Sequence, residues 1–206
     1  NNCGLSNTFG LYSYGLETEL CNNILIENFK VDDMYGFGIH FLGSKMAKAS
    51  GLFFNNMTKT GESIAITSTN ASYLDISNVM CNNVDGDNIE INSTKYSNFR
   101  NLTINQSGDV GLLFGDHFVT GVSNENVNID GLKITNTGGV NSLSLNNVIN
   151  CSFTNVVADK GMTALDTSFY PNDKNNKIAY SKFDVDISLS FVYYNKFNLK
   201  SVEFND

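Results

Sequence analysis

The sequence predicts an all-β chain wound as a single-stranded parallel β-helix of about seven to eight coils. Three observations carry that expectation. A six-residue pattern recurs eight times, a second set of short strands falls between the copies, and no segment has the 3.6-residue period of a helix.

The copies begin at Ile26–Val31 (IENFKV) and continue at Phe54–Lys59, Ile76–Cys81, Phe99–Ile104, Ile129–Ile134 and Phe153–Ala158. Weaker copies follow at Tyr180–Val185 and Leu199–Phe204. In each, apolar residues alternate with period two on both sides of a central residue, so both flanks are strands with one buried face. The alternation changes phase at the centre, where one extra residue must turn the chain. Asn28, Asn56, Asn78, Asn101, Gly131 and Asn155 stand there, types that tolerate a left-handed backbone. The central residues are 19 to 30 positions apart.

The second set of strands reads Ile39–Phe41, Ile64–Ile66, Ile89–Ile91, Leu112–Phe114, Leu143–Leu145 and Leu189–Phe191. A glycine lies a few residues upstream of most: Gly36, Gly61, Gly86, Gly108, Gly139 and Gly161. About three short strands per repeat, with Ile, Leu, Val and Phe inward, describe coils stacked about 4.8 Å apart by parallel pairing. Hairpin dipeptides such as Asn-Gly, which an antiparallel sandwich needs, are scarce. Residues 1–22 fit the repeat poorly and are expected to form an N-terminal cap or partial coil, leaving 23–206 as the β-helix. Segment 168–177 (SFYPNDKNNK) reads as an exposed loop.

Composition narrows the function. The chain has 206 residues, 32 of them Asn, one Pro and a net charge of −8. That charge argues against nucleic acid or an anionic membrane as partner, because both need a basic footprint. No apolar run reaches the length of a membrane span. The sequence starts at Asn1 rather than Met, so a fragment or processed product is expected. Cys3, Cys21, Cys81 and Cys151 have no metal-binding spacing. Cys81 and Cys151 take apolar repeat positions, where buried free thiols are expected; whether Cys3 and Cys21 pair is open.

Registering the coils on the upstream glycines places Glu62, Asp87 and Asp109 at one corner of three successive coils. Adjacent members are then about 5 Å apart and the outer pair about 10 Å, spacings that suit the carboxyl pairs of glycosidases. The same three carboxylates are the place where Ca²⁺ could bind; otherwise no cofactor is expected. A row of solvated turn acids is the bland alternative. Glu90, between inward Ile89 and Ile91, points outward and should lie between Ala65 and Leu113. It joins Asp87 as a candidate acid or base. Candidate substrate contacts are the outward His40, Tyr96, and the Asp116-His117-Phe118 run after the fourth strand. Tyr35, Phe37 and Tyr170 are further aromatics for sugar stacking, and 190–197 (SFVYYNKF) suits a subunit interface.

The coil pattern and its central Asn residues resemble the right-handed, pectate-lyase-like parallel β-helices, across roughly residues 23–206. Polygalacturonases of that family carry Gly-Asp-Asp and Gly-His-Gly motifs on consecutive coils. This chain has Gly86-Asp87-Asn88 and Gly108-Asp109-Val110 in those places, without the second Asp or the His. The Arg- and Lys-rich clefts of calcium-dependent pectate lyases are missing too, Arg100 being the only arginine. The Asn- and aromatic-rich coils look most like the shaft of a phage tailspike. That resemblance implies a homotrimer on the virion surface or outside the cell, binding and cleaving bacterial surface polysaccharide by glycoside-hydrolase-type chemistry. A non-catalytic glycan adhesin and a structural spacer within a larger fibre are the alternatives.

Overall fold

Every named strand of the computed structural model pairs in parallel with the next coil. Residues 14–34, 36–58, 63–115, 123–139, 141–164, 175–184 and 197–205 are described. Tyr35 and Tyr170, the Leu189–Phe191 strand and nearly all of 190–197 lie outside them. Seven strands build a front sheet: Tyr14–Glu19, Phe37–Leu42, Ile64–Thr69, Ile89–Asn92, Leu112–Phe114, Leu143–Leu145 and Met162–Ala164. A bent sheet of longer strands runs behind it, from Asn22–Glu27 and Lys45–Met57 to Asn176–Asp184 and Phe197–Asn205. No helix occurs among the described residues.

The bend follows a single residue per coil. Asn28, Gly51, Asn78, Asn101, Gly131, Asn155, Tyr180 and Ser201 stack in register, all with φ between 52° and 74°. Asn101 Nδ2 donates to Asn78 Oδ1 at 3.2 Å, so the amides pair between coils as well as tolerating the left-handed backbone.

This row corrects two expected centres. The residue in register with Asn28 and Asn78 is Gly51, not Asn56; in the seventh copy it is Tyr180, not Lys182. Asn56 belongs to a second left-handed row with Asp33, Asn83, Gln106 and Asn136. Both rows use Asn flanked by alternating apolar residues, so the pattern around Asn56 matches the first row without belonging to it. Among the described residues the front sheet spans about six turns, slightly fewer than the expected seven to eight coils.

The core consists of columns of like residues, one per coil. Ile39, Ile66, Ile89, Leu112 and Leu143 form one; Ala49, Ile76, Phe99, Ile129, Phe153 and Ile178 form another. All are buried. The Phe114 and Phe153 rings meet edge to face at 5.2 Å, tying the two sheets together. Ser68 interrupts the Phe41–Ile91–Phe114 column, and its hydroxyl is satisfied by Thr94 Oγ1 at 2.9 Å.

Cys81 sits in a core column and burial pushes its thiol well above the ordinary range. Cys151 is buried, its thiol donating to the Ile149 carbonyl at 3.4 Å, while Cys21 is free and exposed. An alkylating reagent should therefore modify Cys21 in the folded protein and reach Cys81 and Cys151 only after unfolding, as peptide mass mapping would show. Phe99→Ala should cost about 3–5 kcal/mol in denaturant unfolding, against about 1 kcal/mol for Asn101→Ala, which loses one amide pair at a left-handed position.

Candidate functional site

The front sheet begins each coil at a tight corner, and two of the expected acids meet at one of them. The Asp109 N–H donates to the Gly86 carbonyl at 3.4 Å, which sets Asp109 directly over Asp87. Adjacent coils stack about 4.8 Å apart. Asp87 is half-buried, and its Oδ1 accepts the Val110 N–H at 2.9 Å. Asp109 is exposed, and its carboxylate lies against the backbone of Gly139, where an added Cβ would stand 2.5 Å from Asp109 Oδ1. Glycine at 139 thus leaves room for that carboxylate.

The register from which the third rung was expected is shifted by two residues. The front strands pair Ile66, not Ile64, with Ile89. The Gly86 N–H reaches the Ser63 carbonyl at 3.2 Å, which brings the start of Ile64–Thr69 beside Gly86. Glu62 itself lies outside the described residues. The physical reason is Ser68. It occupies the inward position opposite Ile91, so the strand runs two residues further than its apolar letters suggest.

The same shift corrects the surroundings of Glu90. Its lateral neighbours are Thr67 and Leu113, not Ala65 and Leu113. Glu90 is half-buried, and its Oε1 accepts Asn92 Nδ2 at 2.7 Å. Among the described residues no three His, Cys, Asp or Glu side chains gather closely enough to hold a metal ion. The Ca²⁺ expectation at Glu62, Asp87 and Asp109 includes Glu62, which lies outside those residues.

His40 lies on the same outward row as Glu90, two coils away with Thr67 between them, or about 9.6 Å along the stack. Its ring stacks with Tyr14 at 5.7 Å and Phe37 at 5.8 Å, so Phe37 packs on the histidine. Nδ1 lies 3.2 Å from Glu17 Oε1 and Nε2 lies 3.4 Å from Thr69 Oγ1. Burial lowers the His40 pKa below its ordinary value, partly opposed by the Glu17 charge and hydrogen bond. Asp116, His117 and Phe118 lie outside the described residues.

Tyr96 is at the opposite edge of the sheet, on the corner that follows Ile89–Asn92. It stacks on Tyr73 of the preceding coil, with ring centroids 5.3 Å apart and 14° between planes. Beside the pair runs a groove of about 440 Å³ lined by Asn70, Ser72, Ser93, Lys95, Ser123 and Glu125. The Lys95 ammonium pairs with Glu125 Oε1 at 3.0 Å. Arg100, by contrast, pairs with Asp75 on the bent sheet.

Several residues of this face carry no motif that a sequence could signal. Asn88 and Asn146 are fully buried beside the front strands, and neither amide end makes a hydrogen bond. Asp159 gathers the corner two coils beyond Asp109. It accepts the Thr137 N–H at 2.9 Å, the Thr137 hydroxyl at 2.8 Å and the Ser142 hydroxyl at 2.9 Å. Burial raises its pKa, but these donors outweigh burial and hold the carboxyl below its ordinary value.

No family model matches the sequence, and no curated protein matches it. Solved structures do. An alginate lyase from Paenibacillus sp. str. FPU-7 superposes with a TM-score of 0.58 at 12% identity, over 94% of this chain and 90% of the lyase. A hyperthermoactive exopolygalacturonase from Thermotoga maritima gives 0.56 at 14% identity, over 95% of this chain and 55% of the enzyme. The fold is a pectate-lyase-like right-handed parallel β-helix. This chain thus spans little more than half of the exopolygalacturonase. In this pectate-lyase-like helix, Asp87, Asp109 and Glu90 share one region of the front sheet, and Tyr96 stands apart from them across its width.

His40 offers a direct check on this geometry. Its NMR titration midpoint should lie below about 6.5, and Glu17→Gln should lower it further by removing the opposing charge. Because the folded pKa is depressed, the unfolded chain takes up the proton first. The His40 contribution to stability should therefore be intact above about pH 6.5 and fall away as the pH drops below it.

Proposed function

We propose that this chain binds and cleaves polysaccharide, with Asp87, Asp109 and Glu90 as its acid–base groups. The observation that carries the reading is the placement of Asp109 directly over Asp87 at the entrance to the front sheet, with Glu90 three residues beyond Asp87. Two carboxyl groups one coil apart fall near the separation used by retaining glycosidases, about 5–5.5 Å. In such chemistry one carboxyl delivers a proton to the leaving glycosidic oxygen, while the other stabilises or attacks the sugar as a carboxylate. The long, flat front sheet suits an extended chain of sugars better than a small molecule. Support also comes from the two proteins of similar fold, by name an alginate lyase and an exopolygalacturonase.

The finer reading is a tailspike-like depolymerase of bacterial surface polysaccharide, working as a homotrimer outside the cell or on a virion. Glu62, His40, Asp116, His117 and Phe118 remain proposed contributors to that site. One observation favours a second reading, a non-catalytic glycan-binding or structural shaft. Asp87 already holds the Val110 N–H, as a corner residue with a purely structural role would.

Asp87→Asn, Asp109→Asn and Glu90→Gln separate the two readings. Each purified variant would be assayed on alginate, polygalacturonate and bacterial capsular polysaccharide. Reducing-end release would be followed alongside the ultraviolet absorbance of unsaturated ends. The catalytic reading expects a loss of about 10²–10⁴-fold in at least one variant, with binding retained. Cleavage by all three at the wild-type rate would remove these residues from the chemistry.

A further inference from the structure

The row of turn residues that includes Tyr96 is built to a rule that three of its members break, Met46, Tyr73 and Tyr96, of which the two tyrosines stand on successive coils and stack. Asn23, Met46, Tyr73, Tyr96, Asn126, Asn150 and Asn175 stack one per coil, and every one has φ between 51° and 57°. Asparagine is the residue suited to that left-handed backbone, and four of the seven are asparagine. Tyrosine is bulkier and disfavoured there. Tyr73 and Tyr96 gain little packing in return, being 56% and 49% exposed. A local preference set aside without a gain in the core is a mark of function.

What stands beside the pair completes the argument. Ser72 and Lys95, the residues immediately before Tyr73 and Tyr96, line the 440 Å³ groove. That volume lies within the range of small-ligand sites. Its other walls are hydroxyl, amide and charged groups from Ser93, Ser123, Asn70 and Glu125, with Ala71 among them. The column of rings ends at Tyr96, because the next member of the row is Asn126. Among the described residues, one face of the Tyr96 ring therefore carries no aromatic neighbour. The stack and the groove lie on the corner after the front strand, while Asp87 and Asp109 lie on the corner before it.

We propose that this corner is a second carbohydrate-binding site, separate from the acids, in which a pyranose ring stacks on Tyr96 and its hydroxyls bond along the groove. Hydroxyl-rich walls with a self-paired Lys95–Glu125 couple suit the hydroxyls of about two sugar units. The inference rests on the polysaccharide reading above. Its role would be to hold a polymer that also crosses the front sheet, so that the two sites act on one chain.

The test is Tyr73→Asn/Tyr96→Asn, which installs the asparagine that four other members of the row use. Wild type and variant would be compared by affinity electrophoresis in gels containing alginate, polygalacturonate or dextran, with thermal unfolding and sedimentation velocity alongside. The expected result is at least a tenfold weaker interaction with whichever polymer retards the wild type, at an equal or higher unfolding midpoint and an unchanged sedimentation coefficient. If wild type is retarded by none of the three, the polysaccharide reading and this site fall together. If the variant is retarded as strongly as wild type, this site alone falls. A clearly lowered midpoint would make the tyrosine stack a structural element, and a smaller sedimenting species would make it a contact between copies; either overturns the proposal.

Discussion

The structure depends on parallel, in-register hydrogen bonding between successive coils. Each coil sets the backbone position of the next, so a residue's environment is decided by what stands one coil below and one coil above. Burial follows the same logic. Inward columns repeat apolar residues, and the few polar intruders, such as Ser68, are held by a hydrogen bond from a neighbouring coil. Chemistry follows it too. Asp87 and Asp109 are 22 residues apart in sequence, yet the pairing between the two corners makes them neighbours.

That constraint explains how much of the fold was legible. Period-two alternation on both sides of Asn78, Asn101 and Asn155 disclosed strand, bend and strand, and the missing hairpin signals made the strands parallel. Register was harder to read. Asn56 and Gly51 both occupy left-handed positions in one long strand, and the letters around Asn56 imitate the true bend. The front strand Ile64–Thr69 hides its last inward position behind a serine, which moved the expected alignment by two residues. Composition patterns report which side a residue faces; they do not report which residue of the next coil it meets.

The same distinction governs the site. Asp87 over Asp109 survived because both corners are short and glycine-marked. Of the expected neighbours of Glu90, Leu113 holds and Ala65 gives way to Thr67, because only the latter side was taken from the misaligned strand. Tyr96 was visible as an aromatic residue, but its partner Tyr73 and the groove beside them become visible only once the turn rows are stacked. The unpartnered amides of Asn88 and Asn146 had no signal at all, since in a chain with 32 asparagines two more attract no notice.

The bend row carries a wider consequence. Coils differ in length, from 21 residues between Tyr180 and Ser201 to 30 between Asn101 and Gly131, yet the left-handed residue returns to the same place in each. Extra residues are taken up away from this row; in the 30-residue coil they fall between Leu112–Phe114 and Asn124–Glu125. One side of the helix therefore keeps time while the other is free to change. A chain built this way can acquire or lose a recognition loop by insertion, with its frame left as it was.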